Sequence, residues 1–352
     1  MSFVIRSATA DDVNGLLSLA QQFSLLNLPA DKRAIIEKVE VSEASFRGDL
    51  SREEAKYVFV AEDRDQKIVC GSSQIVAKHG TPGEPTYSFE VLKKERFSRD
   101  LGVGFIHQIL RLKICENGPT EIGGLVVDRA YRSRPEKIGR LVSLSRFNYI
   151  GMYPERFEED LYAQMAPPLT EEGRSEFWEA LGRRFTGMPY QEADLLSQKN
   201  KEFIRSLFPE EDIYLCLLDA KARLALGRVS QETQAALHLL ESIGFTYMNE
   251  VDPFDGGPHL KVKAKNVTLI KNARLLKVSP QTHASFEQKA IVSVCRDGQF
   301  IAAPTAYLID GDQLVVPDKT RHLLEISPSD LVYTTPLVDS NKKIKVHGRK
   351  QI

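Results

Sequence analysis

Cysteine is scarce in the 352-residue chain, and its four copies, Cys70, Cys115, Cys216 and Cys295, lie far apart with no CxxC pair. That spacing suggests neither a zinc site nor a disulfide framework, and it fits a reducing compartment. Nor is there an excess of one charge. Lys plus Arg number 47 against 48 for Asp plus Glu, a formal net charge of -1, so the broad basic footprint of a chain that binds nucleic acid along its length is missing. No apolar run approaches the ~18 residues that would span a bilayer, and the opening MSFVIRSATADDV has no basic flank leading into an apolar core. The expectation is a cytoplasmic protein with small-molecule or protein partners, and neither nucleic acid nor membrane among them.

The composition that remains is 42% hydrophobic and 27% charged, enough for a core in each of two or three domains of ordinary size. Residues 3–7 alternate as a strand, and Asp11 and Asp12 open a helix with Val13, Leu16, Leu17 and Leu19 at helical spacing. A second helix is expected from Pro29 to about Gly48. Strand-like runs at 57–61 and 67–76, joined by a polar turn, form a hairpin signal. Another strand spans 122–127, a basic loop follows Asp128, and a helix begins at Gly139, carrying Leu141, Leu144, Ser145 and Asn148 on one side. A strand is then expected within 157–165. The order β-α-α-β-β-β-α-β describes helices packed on a mainly antiparallel sheet.

Helical patterns return at SEFWEALGRRF and at ALHLLESIGFTY, each closed by a glycine. Their likeness leaves a duplicated unit open. After DPFDGGPHLKV, strand-like runs at 266–270, 289–294, 299–303 and 313–316 suggest a small β-rich region from about 265 to 340, ending in the basic tail NKKIKVHGRKQI, read as a solvated terminus.

The stretch richest in chemistry joins the strand ending at Asp128, the basic loop and the helix after Gly139. A helix N-terminus offers unpaired N–H groups and a positive dipole end, which suit a pyrophosphate. Arg132, Arg134, Lys137 and Arg140 surround it. A second cluster, Glu250, Asp252 and Asp255, sits beside the turn Gly256-Gly257-Pro258; it suits a cationic substrate, and it also suits a capped turn with no ligand at all.

The strand LVVD, the Arg-rich loop and Gly139 resemble the acyl-CoA-binding motif of the GNAT acyltransferase superfamily. Within it, YVFVAED, LVVDRAYR, GRLVSLSRF, EFWEALGRRF, ADLLSQKNKEFI, the GRV before QET, LLESIGFTY and DPFDGGP resemble the arginine N-succinyltransferase family in order, up to about residue 263. The resemblance implies an α+β fold, a GNAT-like mixed, mainly antiparallel sheet flanked by helices, with a small C-terminal all-β domain. The divisions expected are 1–170 for acyl-CoA binding, 171–264 completing the acceptor site, and 265–352 for the C-terminal part.

The implied activity is CoA-dependent N-acyl transfer, succinyl-CoA to the α-amino group of L-arginine, in arginine catabolism. Succinyl-CoA is a co-substrate, with no permanently bound cofactor and no metal, and the expected assembly is a homo- or hetero-oligomer. Leu125 and Val127 would meet the pantetheine arm, with Arg132, Lys137, Gly139 and Arg140 at the diphosphate. Asp252, Asp255, Gly256 and Gly257 would hold the acceptor.

Two departures from the family pattern stand out. Lys137 occupies the place of the first phosphate-loop glycine, and Ser230 the place of the family's proton-donating histidine. A serine hydroxyl relays a proton where a histidine donates one near neutral pH. His259 and Tyr247, and beside them His238, are the compensating candidates. The alternative is a divergent member with a changed donor or acceptor, such as ornithine, or a non-catalytic subunit.

Overall fold

A computed structural model describes residues 2–23, 28–197, 200–282 and 285–337. The basic tail after Leu337 lies outside them. Strand β1 (Phe3–Ser7) is followed by helices α1 (Val13–Gln21) and α2 (Lys32–Arg47). The Asp31 carboxylate caps α2 by accepting from the Ala34 amide, and Gly48 ends it in the left-handed region at φ 84°, the two boundaries that helix-cap chemistry favours. The expected hairpin forms from β2 (Lys56–Asp63) and β3 (Ile68–Val76).

A long hairpin, β4 (Thr86–Ser98) and β5 (Val103–Cys115), then intervenes before β6 (Thr120–Val127). The sequence reading missed it because its outer half is exposed on both faces and carries no half-buried alternation. Helix α3 (Ile138–Met152) and strand β7 (Asp160–Gln164) follow as expected.

The middle of the chain is built from short helices α4 (Glu176–Ala180), α5 (Gly182–Thr186), α6 (Tyr190–Ser197), α7 (Glu202–Leu207) and α8 (Ala220–Ala225), with a two-residue strand β8 (Ile213–Tyr214). They bury Trp178, Phe177 and Phe254 in a core of their own. Helix α9 (Gln234–Ser242) leads through Gly244 into β9 (Thr246–Val251) and β10 (Pro258–Lys263). The first glycine-closed helical segment has no such sequel, since α5 runs on to α6 without a strand.

The expected strand at 266–270 is instead a helical turn, α10 (Thr268–Lys271). Val267 and Leu269 are buried in the same core as α3, a demand that a short apolar run meets as well in a helix as in a strand. Beyond it lie β11 (Arg274–Val278), β12 (Gln288–Arg296), β13 (Gln299–Asp310), β14 (Gln313–Val315), α11 (Asp318–Leu324) and β15 (Leu331–Pro336). The C-terminal region is therefore β-rich but not all-β: α11 closes one side of its core through Leu324.

All the strands hydrogen-bond in the order β12-β15-β11-β14-β13-β1-β2-β3-β6-β7-β10-β9-β4-β5-β8. The C-terminal strands join the rest where β13 pairs antiparallel with β1, Ile5 opposite Ala302. Helix α3 is buried along nearly its whole length. Its Asn148 amide donates to the Thr335 hydroxyl at 2.9 Å and accepts from Ser293 at 2.5 Å, binding the helix to β15 and β12. No helix among the described residues is long and apolar enough to cross a membrane.

The loop after β3 runs against the loop after β5. The His79 amide donates to the Pro119 carbonyl at 2.7 Å, and a Cβ on Gly118 would stand 1.7 Å from the His79 carbonyl oxygen. Gly118→Ala should therefore cost about 1–3 kcal/mol in urea unfolding by overpacking. Gly83→Ala, with no atom within 4 Å of the added Cβ, should stay within about 0.5 kcal/mol.

Candidate active site

Strand β6 begins in parallel pairing with β7, Thr120 opposite Leu161 and Glu121 opposite Tyr162, and the pairing stops there. On its other side it keeps pairing with β3 as far as Val127, through a register shift at Gly124, whose φ of 59° a glycine adopts without strain. The two central strands thus splay. The edge of β6 that faces β7 lines a large cleft from Ile122 to Val127, and its unpaired backbone groups can take an extended chain as an added strand. Leu125 and Val127 lie on that edge; the Val127 carbonyl already accepts from Arg132 Nε at 3.2 Å.

Asp128 organises the turn beyond. Its carboxylate accepts from the Ala130 amide and from Gln22 Nε2, both at 2.7 Å. The Arg132 guanidinium lies 4.4 Å from the Phe23 ring centroid and that of Arg134 3.9 Å from Tyr131, so both cations rest on aromatic faces. Lys137, left-handed at φ 53°, sets the entry into α3, and Lys137, Gly139 and Arg140 line the same end of the cleft. Gly139 has a packing reason as well: a Cβ there would approach Val127 Cγ2 to 3.3 Å. About two turns further along α3, Arg146 also lines the cleft, buried at 2% exposure. It donates to the Gly123 carbonyl at 3.0 Å, to the Ser143 carbonyl at 3.1 Å and to the Ser143 hydroxyl at 2.7 Å.

At the crotch of the splay stands a set of residues that the sequence reading passed over. His79 Nδ1 is 2.9 Å from Glu121 Oε2, and its ring stacks on Tyr162 at 5.7 Å between centroids. Burial alone would raise the Glu121 carboxyl, but the charge and hydrogen bond of His79 bring it down to about 2. Tyr162 in turn meets the His259 ring edge to face at 4.9 Å. His259 Nδ1 lies 4.0 Å from Glu250 Oε2, while its Nε2 is buried without a hydrogen-bond partner. Lys113 Nζ and the Ser88 hydroxyl also reach Glu250.

The expected acceptor loop divides. Asp252 Oδ1 accepts from the amides of Phe254 and Asp255, and Asp255 Oδ1 from that of Gly257, so both acids build the turn. Both also line the cleft with Asp194. Burial raises Asp252; burial and the neighbouring Asp252 charge hold Asp255 well above the carboxylate range; burial and Asp252 push Asp194 up to about 7. Gly256 and Gly257 are spent on packing: a Cβ on Gly257 would fall 2.2 Å from the Met165 carbonyl oxygen, and one on Gly256 3.1 Å from Phe177.

The four candidates for proton donation are scattered. Ser230 starts the turn before α9, its amide donating to the Ala166 carbonyl and its hydroxyl 2.9 Å from Thr233 Oγ1. Thr233 lines the cleft, whereas Ser230 does not. Tyr247 lines a small separate hollow with Gly227 and Leu226, and His238 is exposed on α9. Only His259 is in the cleft, and burial, with the repulsion of His79, drives its pKa down to about 3.

The sequence carried one signal for the missed group: Glu121 sits inside an otherwise apolar strand pattern, and a carboxylate there needs a partner. That its partner is His79, forty residues away, depends on the β3–β6 pairing.

His259 generates a prediction. It is neutral in the folded protein down to about pH 3 but binds a proton near 6.5 when unfolded, so stability is full above 6.5 and falls as pH drops toward 3. Between pH 7.5 and 5, about 2 kcal/mol of unfolding free energy should be lost through this residue. His259→Gln should flatten that slope in urea titrations at the two pH values; an unchanged slope would place the titration elsewhere.

The sequence model of the family described as arginine N-succinyltransferase beta subunit matches residues 3–269. The arginine N-succinyltransferase of Citrobacter koseri is 36% identical over 278 residues, 78% of this chain and 80% of that protein. The arginine N-succinyltransferase subunit beta of Pseudomonas aeruginosa is 32% identical over 339 residues, 95% of this chain and 98% of that protein. The solved structure of arginine/ornithine succinyltransferase subunit AI from Pseudomonas aeruginosa superposes with a TM-score of 0.83 at 26% identity, covering 95% of this chain and 98% of that one. The likeness to succinyltransferases runs along nearly the full length of the chain, which belongs to the arginine N-succinyltransferase family.

Proposed function

We propose that the cleft transfers the succinyl group of succinyl-CoA to the α-amino group of arginine. The observation that carries this reading is the free edge of β6, which opens between a cationic helix start at one end and a cluster of carboxylates at the other. In this reading the pantetheine arm pairs with the backbone of Leu125 and Val127, and Arg132, Lys137, Gly139 and Arg140 hold the diphosphate. The thioester carbon then comes to rest near the crotch. Asp252, Asp255 and Asp194 face the acceptor: three carboxylates that burial and mutual repulsion keep partly protonated gain most from a guanidinium, which neutralises them in place. Gly256 and Gly257 shape the loop that carries the acids.

The amine must shed a proton to attack. His79, oriented by Glu121 through Nδ1, is the base this reading assigns. The amine nitrogen forms its bond to the acyl carbon, the C–S bond breaks, and the thiolate departs with the electron pair. On becoming an amide the ammonium loses two protons. The first leaves to solvent through the imidazole before attack, and the second, released as the C–N bond forms, is the one the thiolate needs, so a single imidazole can carry it across. Such a shuttle would relieve Ser230 of the donor's task, in keeping with a hydroxyl engaged by Thr233. No cysteine is needed as an acyl carrier when the amine attacks directly, and positioning then supplies most of the rate.

The histidine-to-serine change at 230 also supports a second reading, a member with another acceptor such as ornithine or a non-catalytic subunit of a mixed assembly. The names of two relatives contain the word subunit, which supports an oligomer in either case.

Release of free CoA thiol from succinyl-CoA separates these readings. Release that depends on arginine, lost by about 100-fold or more in His79→Ala, is the expected result. Release with ornithine alone, or none until Ser230→His is introduced, would favour the second reading.

A further inference from the structure

Arg146 is a charge without a counter-charge. It is 2% exposed, and no carboxylate stands within ion-pair distance of it among the described residues; its hydrogen-bond partners are two carbonyl oxygens and one hydroxyl, all neutral. Burial lowers its pKa to about 9, which still leaves it charged at neutral pH. A buried guanidinium with only neutral acceptors is costly, and replacing it by an apolar residue of similar volume would ordinarily stabilise a fold. Its three bonds also leave N–H groups of the five-donor guanidinium without a partner.

Its place in the fold suggests what it is for. Arg146 lies on the face of α3 that begins with Gly139, packed on Val127, and continues through Ser143, so it sits beneath β6 further from the basic turn than the helix start. It holds the carbonyl of Gly123, which lies just past the last residue of β6 paired with β7 and directly before the register shift at Gly124. A thioester whose arm follows β6 away from the basic turn points its acyl chain at this spot. The carboxylates of the acceptor cluster are grouped on other parts of the cleft, Asp252 and Asp255 in the turn after β9 and Asp194 on α6.

Resting on the acyl-donor reading above, we infer that Arg146 is a specificity residue that receives the distal carboxylate of a dicarboxylic acyl group. An acyl-CoA that ends in a methyl group would leave the guanidinium uncompensated, whereas succinyl supplies both the missing charge and a planar, two-oxygen partner. Selection would then come from the unpaired cation that the wrong donor leaves behind, a stronger discriminator than pocket length.

Titration calorimetry without any acceptor amine isolates the acyl end. The protein should bind succinyl-CoA at least about tenfold more tightly than butyryl-CoA, its four-carbon neutral counterpart. Arg146→Met should abolish that preference while keeping butyryl-CoA affinity within about threefold, and Arg146→Lys should keep part of it. Equal binding of the two thioesters by the wild type, or equal weakening of both in Arg146→Met, would overturn the inference. Should Arg146→Met not fold, a crystal structure of the wild type with succinyl-CoA decides: a carboxylate oxygen within about 3 Å of an Arg146 Nη supports it, and a carboxylate seated elsewhere ends it. A binding preference without arginine-dependent thiol release would retire the transfer reading and leave this one standing.

Discussion

Helix α3 is the constraint to which the rest of the molecule conforms. It is covered by the N-terminal strands on one side and by β12, β15 and α10 on others, so few of its residues are free to vary in size. At its N-terminal end Gly139 brings the backbone close to Val127, and near its C-terminal end a Cβ on Gly151 would collide with the Tyr333 hydroxyl at 2.5 Å. A helix clamped at both ends fixes the distance between the basic turn and the bulge in β6. The elements of the cleft inherit that distance, and a ligand that spans it is measured against a rigid gauge.

The charges in the cleft are sorted along its length. Arg132, Lys137 and Arg140 gather where α3 begins, Arg146 stands alone at the bulge, and carboxylates crowd the far wall. The net charge of the chain is close to zero, so this sorting is local and would be invisible to any measure of overall charge. The His79–Glu121 pair occupies the boundary between the two signs. It is a compensated pair, whereas Arg146 has no carboxylate within ion-pair distance among the described residues, and the Asp194, Asp252 and Asp255 group has only the partial attraction of Lys201 against its burial and mutual repulsion. Where a fold leaves opposite charges unpaired at separate points, it has withheld from itself the interactions that a ligand can complete.

Much of this architecture was legible because the signals were local. The caps of α2, the β2–β3 hairpin and the turn at Asp128 each depend on residues a few positions apart, and each appears where the pattern put it. The long β4–β5 hairpin was not legible, since strands exposed on both faces lack an alternation to read. The run at 266–270 was misread because five apolar-rich residues fit helix and strand alike until α3 is there to pack against. The basic loop stood out by residue type and the acids of the FDGGP turn through resemblance to the family, and both line the cleft. His79 and Arg146 did not stand out: a histidine in a loop and an arginine in an apolar helix acquire meaning only once β6 lies between them. Tyr247, a candidate by residue type, lines a separate hollow, and which face of β9 it takes depends on the strand's register.

The bond from Asn148 to Ser293 and Thr335 bears on where this protein can be cut. The family match ends at residue 269, and a shortened chain ending there would retain everything that match covers. Yet such a piece would strand a buried amide with neither of its partners, bare the flank of α3, and leave β1 as an open edge in place of β13. An orphaned amide and a free sheet edge invite aggregation rather than a smaller working unit. Residues 274–336 thus behave less as an appendage than as the outer wall of the helix that frames the cleft, and evolution could alter their sequence freely only so long as that wall kept its shape.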